Sequence, residues 1–262
     1  MKRTITLLIL SILSIAATDA QIRIGGRNID TKKITSAAGD MATAVTLSDA
    51  DIARLSRESV EWMDANNPID TGAYDQRLRR LTEGITEADG IPLNFKVYYV
   101  IDINAFACGD GSIRVFSSLM DLMTDDELMA IIGHEIGHIV HRDTKDAIKR
   151  AYMASAARNA AGSVGGTVGK LSESQLGDLA QSFMGAQFSQ KQEYAADEYG
   201  FEFCVKHGFS PYGMADGLNK LVELSKGEKA SKVQQMFSSH PDSEKRAARM
   251  RQKAEEYEQA NK

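Results

Sequence analysis

His134, Glu135 and His138 spell HEIGH, two imidazoles four residues apart with a carboxylate directly after the first. On a helix, residues i and i+4 stand one above the other with Cβ atoms about 5–6 Å apart, so both rings reach one metal ion. Glu135 then approaches a metal-bound water from the side, where a zinc hydrolase places its general base. The neighbours Leu128, Met129, Ile131, Ile132, Ile136, Ile139 and Val140 are those of a buried helix. A surface helix carrying two histidines by chance would have polar ones. Catalytic zinc takes three protein ligands and keeps one position for water. His141 does not wrap the same ion from the same straight helix and reads as an outer or solvent-facing residue. The third ligand must come from another helix, and Glu193 fits. Asp197, four residues on, is placed to accept the remaining N–H of a ligand histidine. Spacing alone leaves a solvated acidic helix face equally open for that pair.

The elements that must carry these residues follow from periodicity and caps. Ser48 opens a helix with Ile52, Leu55, Val60 and Met63 on one face, and Asn66, Asn67 and Pro68 end it. A second helix is expected over Tyr74 to Thr86. FKVYYVID (95–102) and GSIRVF (111–116) read as strands, with the residues between them a connection or a bulged edge. Thr124 and Glu127 have capping-box spacing before the HEIGH helix. A helix fraying into a Gly-rich loop over 151–169 follows. Further helices are expected from Leu176, interrupted around Gly185, and from Gln190 to a stop at Gly208. Two short helices and a charged tail close the chain. Few strands framed by many helices predict an α+β, mostly helical fold rather than a parallel α/β sheet.

Composition excludes several classes. The 262 residues are 43% hydrophobic and 26% charged with a net charge of −5, so no basic surplus points to nucleic acid. Residues 1–20 carry Lys2 and Arg3, then an apolar run, then small residues ending at Ala20, the three parts of a secretory signal peptide; an uncleaved N-terminal anchor is the alternative. In an oxidising compartment Cys108 and Cys204 form either one bridge or two separate thiols, and spacing does not decide.

HEIGH at 134–138, Glu193 and Asp197 as ExxxD, and SHPDSEKR at 239–246 together resemble the three marks of the gluzincin endopeptidases related to HtpX, the Oma-type proteases and the CAAX prenyl protease. NAFACGDGSIRVFSSLMDLMTDDEL (104–128) is similar to that family's substrate-edge strand and the helix start after it, and FSQKQEYAAD (188–197) adds to the match. Over 47–250 the likeness is to the soluble periplasmic, LoiP-type branch. The resemblance implies one Zn2+ per chain held by His134, His138 and Glu193, with Glu135 as general base and Asp197 as orienting residue. It implies His240 near the open coordination position with Arg246 close by, gating the metal or stabilising the oxyanion. The absence of a lipobox cysteine departs from that branch, and the two cysteines stand elsewhere, so neither lipid anchoring nor its disulfide carries over.

The expected organisation is a signal peptide (1–20), an N-terminal arm (21–46), a zincin-like domain (47–250) whose small sheet borders the zinc cleft, and a charged tail (251–262). The expected activity is that of an exported, periplasmic zinc metalloendopeptidase. An exposed edge strand at Asn104, Ala105 and Phe106 would hold unfolded, misfolded or envelope polypeptides extended by backbone pairing. Peripheral outer-membrane association fits the branch. The alternatives are a latent protease acting as a zinc-stabilised periplasmic chaperone or assembly factor, and a cytosolic zinc peptidase with a misread N-terminus.

Overall fold

Four of the described helices start at reciprocal caps. The Ser48 hydroxyl accepts the Asp51 N–H while the Asp51 carboxylate accepts the Ser48 N–H, and Thr124/Glu127, Ser172/Gln175 and Ser189/Gln192 repeat the device. The computed structural model describes residues 22–24, 27–29, 47–159, 171–227 and 230–262. The expected signal peptide, most of the arm and the Gly-rich segment 162–169 lie outside the described residues. Within the arm, β1 (Ile22–Ile24) and β2 (Arg27–Ile29) form an antiparallel pair.

The rest of the chain runs α1 (Asp49–Asn66), α2 (Ala73–Leu81), β3 (Glu87–Ala88), β4 (Ile91–Pro92), β5 (Asn94–Tyr98), β6 (Ala105–Ala107), β7 (Ser112–Phe116), α3 (Ser117–Leu122), α4 (Asp125–Val140), α5 (Asp143–Asn159), α6 (Glu173–Met184), α7 (Gln190–Lys206), α8 (Gly213–Ser225), α9 (Ala230–Ser239) and α10 (Ser243–Ala260). It is an α+β fold, mostly helical with small sheets. Asp89 and Gly90, both at positive φ, turn the β3–β4 hairpin. Three strands form a mixed sheet in the order β5-β7-β6, with β5 parallel and β6 antiparallel to β7.

The pleat of this sheet sorts the core into two faces. Val97, Ala105, Ala107, Ile113 and Val115 face α4, packing with Leu128, Met129, Ile131, Ile132, Ile136 and Ile139. Tyr98, Phe106, Cys108 and Phe116 face the other way, onto α1, α5 and α6 through Leu55, Met63, Ile148, Leu179 and Phe183. A third cluster joins α7, α8 and α10 through Phe201, Cys204, Met214, Leu218, Ala247 and Met250. Cys108 and Cys204 belong to different clusters and are two separate buried thiols, which settles the cysteine alternative.

Several expected boundaries move. α2 stops at Leu81 rather than Thr86, because Gly84 at φ 77° and the turn into β3 take the following residues. β5 ends at Tyr98, four residues short of Asp102, and leaves Tyr99 and Ile101 exposed. The edge strand expected at Asn104–Phe106 is β6, one residue later at Ala105–Ala107. The residues read as a charged tail continue α10 to Ala260, with Ala254 fully buried and the Tyr257 ring edge-on to Phe201.

Candidate metal centre

α4 and α7 cross closely enough to face their side chains because small residues line the contact. A Cβ on Gly137 would come within 3.0 Å of the Ala196 Cα, and one on Gly200 within 3.0 Å of the His134 backbone nitrogen. The crossing brings His134, Glu135 and His138 of α4 against Glu193 and Asp197 of α7, all buried. The turn between α9 and α10 adds His240, and the first turn of α10 adds Arg246, 1% exposed.

The polar geometry converges on one point. His134 Nε2 and His138 Nε2 are 3.1 Å apart, and Glu193 lies 3.7 Å from the first and 3.4 Å from the second. His240 Nδ1 is 3.1 Å from Glu193 and 3.3 Å from His134 Nε2, so the ligand atoms of all four residues lie within 4.8 Å of one another. A tetrahedral ion with bonds of about 2.0–2.1 Å spaces its ligand atoms roughly 3.3 Å apart. The donor set fits such an ion. The tautomers agree: His134 Nδ1 is 2.9 Å from Asp197 and His138 Nδ1 is 2.9 Å from Asp143, each giving its proton to a carboxylate. Both Nε2 atoms then aim into the same small volume, where a cation would take the place of any proton between them.

The charges around this point are held by hydrogen bonds. Arg246 grips Asp197 through two nitrogens, at 2.8 and 2.6 Å, and also pairs with Glu193. Burial works against an ionised Asp197, but Arg246 and His134 outweigh it and hold the carboxyl at about 2. Glu193 is likewise pushed well below the usual range, its burial outweighed by His240, His138 and His134. Glu135 Oε1 is buried without a hydrogen-bond partner and lies 3.6 Å from His240 Nε2. Beside it a cavity of about 10 Å³, lined by Ile131, His134, Leu218, Met236, His240 and Arg246, has room for about one water.

The structure therefore brings together every polar residue singled out around HEIGH, ExxxD and HPxxxxR. Arg246 differs from expectation in what it touches: its guanidinium is spent on Asp197 and Glu193. His141 ends α4 as its cap, exposed beside the Tyr199 ring. The edge strand is a larger correction. It runs Ala105–Ala107, with Asn104 just before it, and it is buried rather than exposed. The Phe116 N–H to Asn104 carbonyl and Cys108 N–H to Ser112 carbonyl bonds face β7, so Ala105 presents its backbone outward. That N–H is capped by the side-chain oxygen of Asn104, whose amide donates to the Met184 carbonyl at 3.4 Å. The loop after Met184 continues over the centre, stacking Phe188 on the His138 ring at 3.8 Å. Sequence reasoning missed Asp143 and Phe188. Asp143 left one usable signal, an acidic residue five positions after the second histidine.

Comparison with known proteins accounts for this arrangement. Residues 73–254 match Peptidase family M48. The chain belongs to that family. It is 39% identical over 91% of its length to the metalloprotease LoiP of Escherichia coli, covering 94% of that protein. It is 35% identical to the metalloprotease YcaL of the same organism, over 90% of this chain and 93% of YcaL. A protease HtpX homologue of Pyrococcus abyssi is 30% identical over 66% of this chain and 72% of its own. M48 membership makes the chain a metalloprotease. No described helix is long and apolar enough to cross a membrane.

Proposed function

We propose that the chain is an exported zinc metalloendopeptidase of the periplasm, using His134, His138 and Glu193 as ligands and Glu135 as general base. The observation that carries this is the pair of Nε2 atoms 3.1 Å apart, facing Glu193, with the unpartnered Glu135 oxygen beside them. A bound zinc ion supplies Lewis acidity, bringing its water toward a pKa of ~7 and polarising the scissile carbonyl. Glu135 accepts the water's proton and returns it to the leaving amine. Asp197 fixes the His134 tautomer, and Arg246 holds Asp197 and Glu193 in place. His240, 3.1 Å from Glu193 and 3.3 Å from His134 Nε2, would gate access to the metal or steady the oxyanion.

Substrates would be unfolded or misfolded envelope polypeptides, held along Asn104, Ala105 and Phe106 through the outward backbone of Ala105. The composition supports no nucleic-acid partner, and the likeness to LoiP supports peripheral membrane association. The covered strand and the Phe188 stack mean that the loop 185–189 must move before a substrate enters. The same closure favours one second reading, a latent protease that serves chiefly as a zinc-stabilised chaperone or assembly factor.

Glu135→Gln decides between them. The variant is expected to bind zinc as wild type does and to lose casein hydrolysis by roughly 10²–10⁴-fold, the usual contribution of a general base. Undiminished hydrolysis would sink the mechanism. A wild-type protein that is zinc-loaded, binds unfolded polypeptide and never cleaves it would establish the chaperone reading.

A further inference from the structure

Asp143 lies outside every motif described above, yet its position is closely specified. α4 ends at Val140 with His141 as its cap and α5 begins at Asp143; of the two residues between, Arg142 sits in the left-handed region at φ 61°. A non-glycine residue there is uncommon, and such strain tends to collect at functional sites. It redirects the chain within two residues, and Asp143 meets the His138 ring on the helix just left. Asp143 is 6% exposed, and its Oδ2 lies 2.9 Å from His138 Nδ1. Its other oxygen accepts a hydrogen bond from Gln192 Nε2 at 2.8 Å.

Gln192 is fixed in turn. Its Oε1 accepts the Ser189 backbone N–H and hydroxyl, both at 2.9 Å, in the cap of α7. A backbone N–H only donates, so the amide has one orientation, with its NH2 turned to Asp143. Gln192 immediately precedes the ligand Glu193. The Ser189–Gln192–Asp143–His138 chain thus ties the start of α7 to the ring on α4.

We propose that Asp143 and Gln192 are positioning residues for the metal centre: Asp143 holds the His138 proton on Nδ1, and Gln192 holds Asp143 in the orientation that does so. The inference rests on the zinc reading above and extends it to two residues outside the family's marks. Outer carboxylates of this kind change metal affinity by roughly 10- to 100-fold.

An isosteric swap isolates the tautomer. In Asp143→Asn, Gln192 still donates, so the new amide must turn its oxygen to Gln192 and its NH2 to His138. The His138 proton is then driven to Nε2, into the metal's place. Zinc affinity, read by competition with a fluorescent chelator on metal-free full-length protein, should fall by about 10–100-fold. The metal-free variant should unfold within a few degrees of wild type. Adding Gln192→Glu to Asp143→Asn reverses the logic. The carboxylate introduced at position 192 keeps the Ser189 cap and accepts the NH2 of the amide introduced at position 143, which turns that amide's oxygen back to His138. The double variant should recover most of the affinity. Wild-type affinity in Asp143→Asn, or a double variant no tighter than the single, overturns the assignment. Hydrolysis is not the readout, so failure of the peptidase reading shows separately through Glu135→Gln; a wild-type chain that takes up no zinc defeats both.

Discussion

Each ligand histidine gives its Nδ1 proton to a carboxylate, but the two carboxylates are balanced differently. Asp197 is neutralised by a guanidinium, Asp143 only by an amide. Burial lowers His134, with Asp197 opposing and His138 and Arg246 adding to the fall. Burial also opposes a charge on His138, yet Asp143, Glu193 and Glu135 together outweigh it and raise that ring to about 9. In the metal-free centre this favours the protonated His138 ring, at the position the proposed zinc ion would occupy. A raised value means that this group stabilises the metal-free fold fully below about pH 6.5, its ordinary value, and that the contribution is lost as pH rises to about 9. Zinc must expel the proton, so apparent affinity should strengthen up to about tenfold per pH unit between pH 6.5 and 8.5. Calorimetry in buffers of different ionisation enthalpy should show about one proton released per ion bound. Affinity that does not change with pH would contradict this. The proposed ligands on α4 were legible in the sequence because helical spacing stacks His134 on His138, whereas spacing left Glu193 and Asp197 open to a solvated acidic face and the family resemblance singled them out. Asp143 was not legible, because its place depends on the left-handed turn at Arg142, which no periodicity encodes.

At the scale of elements, the helices were legible from their ends. Ser48 and Thr124 are caps with a matching side chain three residues on, and those helices begin where expected; Ser172 caps α6 in the same way but was overlooked, so α6 starts at Glu173 rather than the expected Leu176. The strands were less so, since β6 exists only by pairing with β7 and three residues carry little pattern of their own. Its burial was illegible for the same reason: the cover comes from α6, about 70 residues later, and nothing local announces it. α6 is seated on α1 by the Trp62 indole N–H to Glu173 at 2.7 Å and by Leu179, Ala180 and Phe183 in the core. The loop it releases at Met184 closes over the edge strand through weak bonds, 3.4 Å from Asn104 and 3.4 Å between the Phe188 N–H and the Ser239 carbonyl. Arg150 adds a 3.1 Å bond to the Gln187 carbonyl and Phe188 its stack on His138; at about 0.5–1.5 kcal/mol per hydrogen bond, a handful of contacts holds the cover. Trp62→Ala should loosen α6 by about 1 kcal/mol and raise kcat/KM toward an unfolded polypeptide several-fold, measured well below the unfolding temperature. Zinc affinity should stay unchanged. A variant no faster than wild type would show that α6 does not limit entry.

The whole molecule is divided by its small sheet, with the metal centre under one face and a polar clamp on the other. β7 alternates between them: Ile113 and Val115 pack on α4, while Arg114, 1% exposed, turns to α1. There Asp64 accepts two hydrogen bonds from Arg114, at 2.8 and 3.0 Å, one from Tyr98 at 2.7 Å and one from Lys96 at 2.7 Å. Burial opposes the charge on Asp64, but Arg114, Lys96 and Tyr98 outweigh it and hold the carboxyl below its ordinary 3.8. A lowered carboxyl stabilises the fold above the unfolded value and stops doing so as pH falls through the folded one. Asp64→Asn leaves the Arg114 guanidinium buried without its counter-charge, at a cost of about 2–4 kcal/mol. For a chain of this size that is roughly 5–15 °C in Tm at neutral pH. Because protonation removes the same charge from the wild type, the gap between the two proteins should close as pH falls from 5 to below 3, in thermal scans of metal-free protein. A gap that persists in acid would mean the clamp acts through packing rather than charge. Zinc affinity of the folded variant tests the division itself. The clamp touches α1, β5 and β7 but none of the residues around His134 and His138, so affinity should match wild type. If it falls together with Tm, the two faces of the sheet are one cooperative unit, and the metal centre draws its geometry from α1 as well as from α4 and α7.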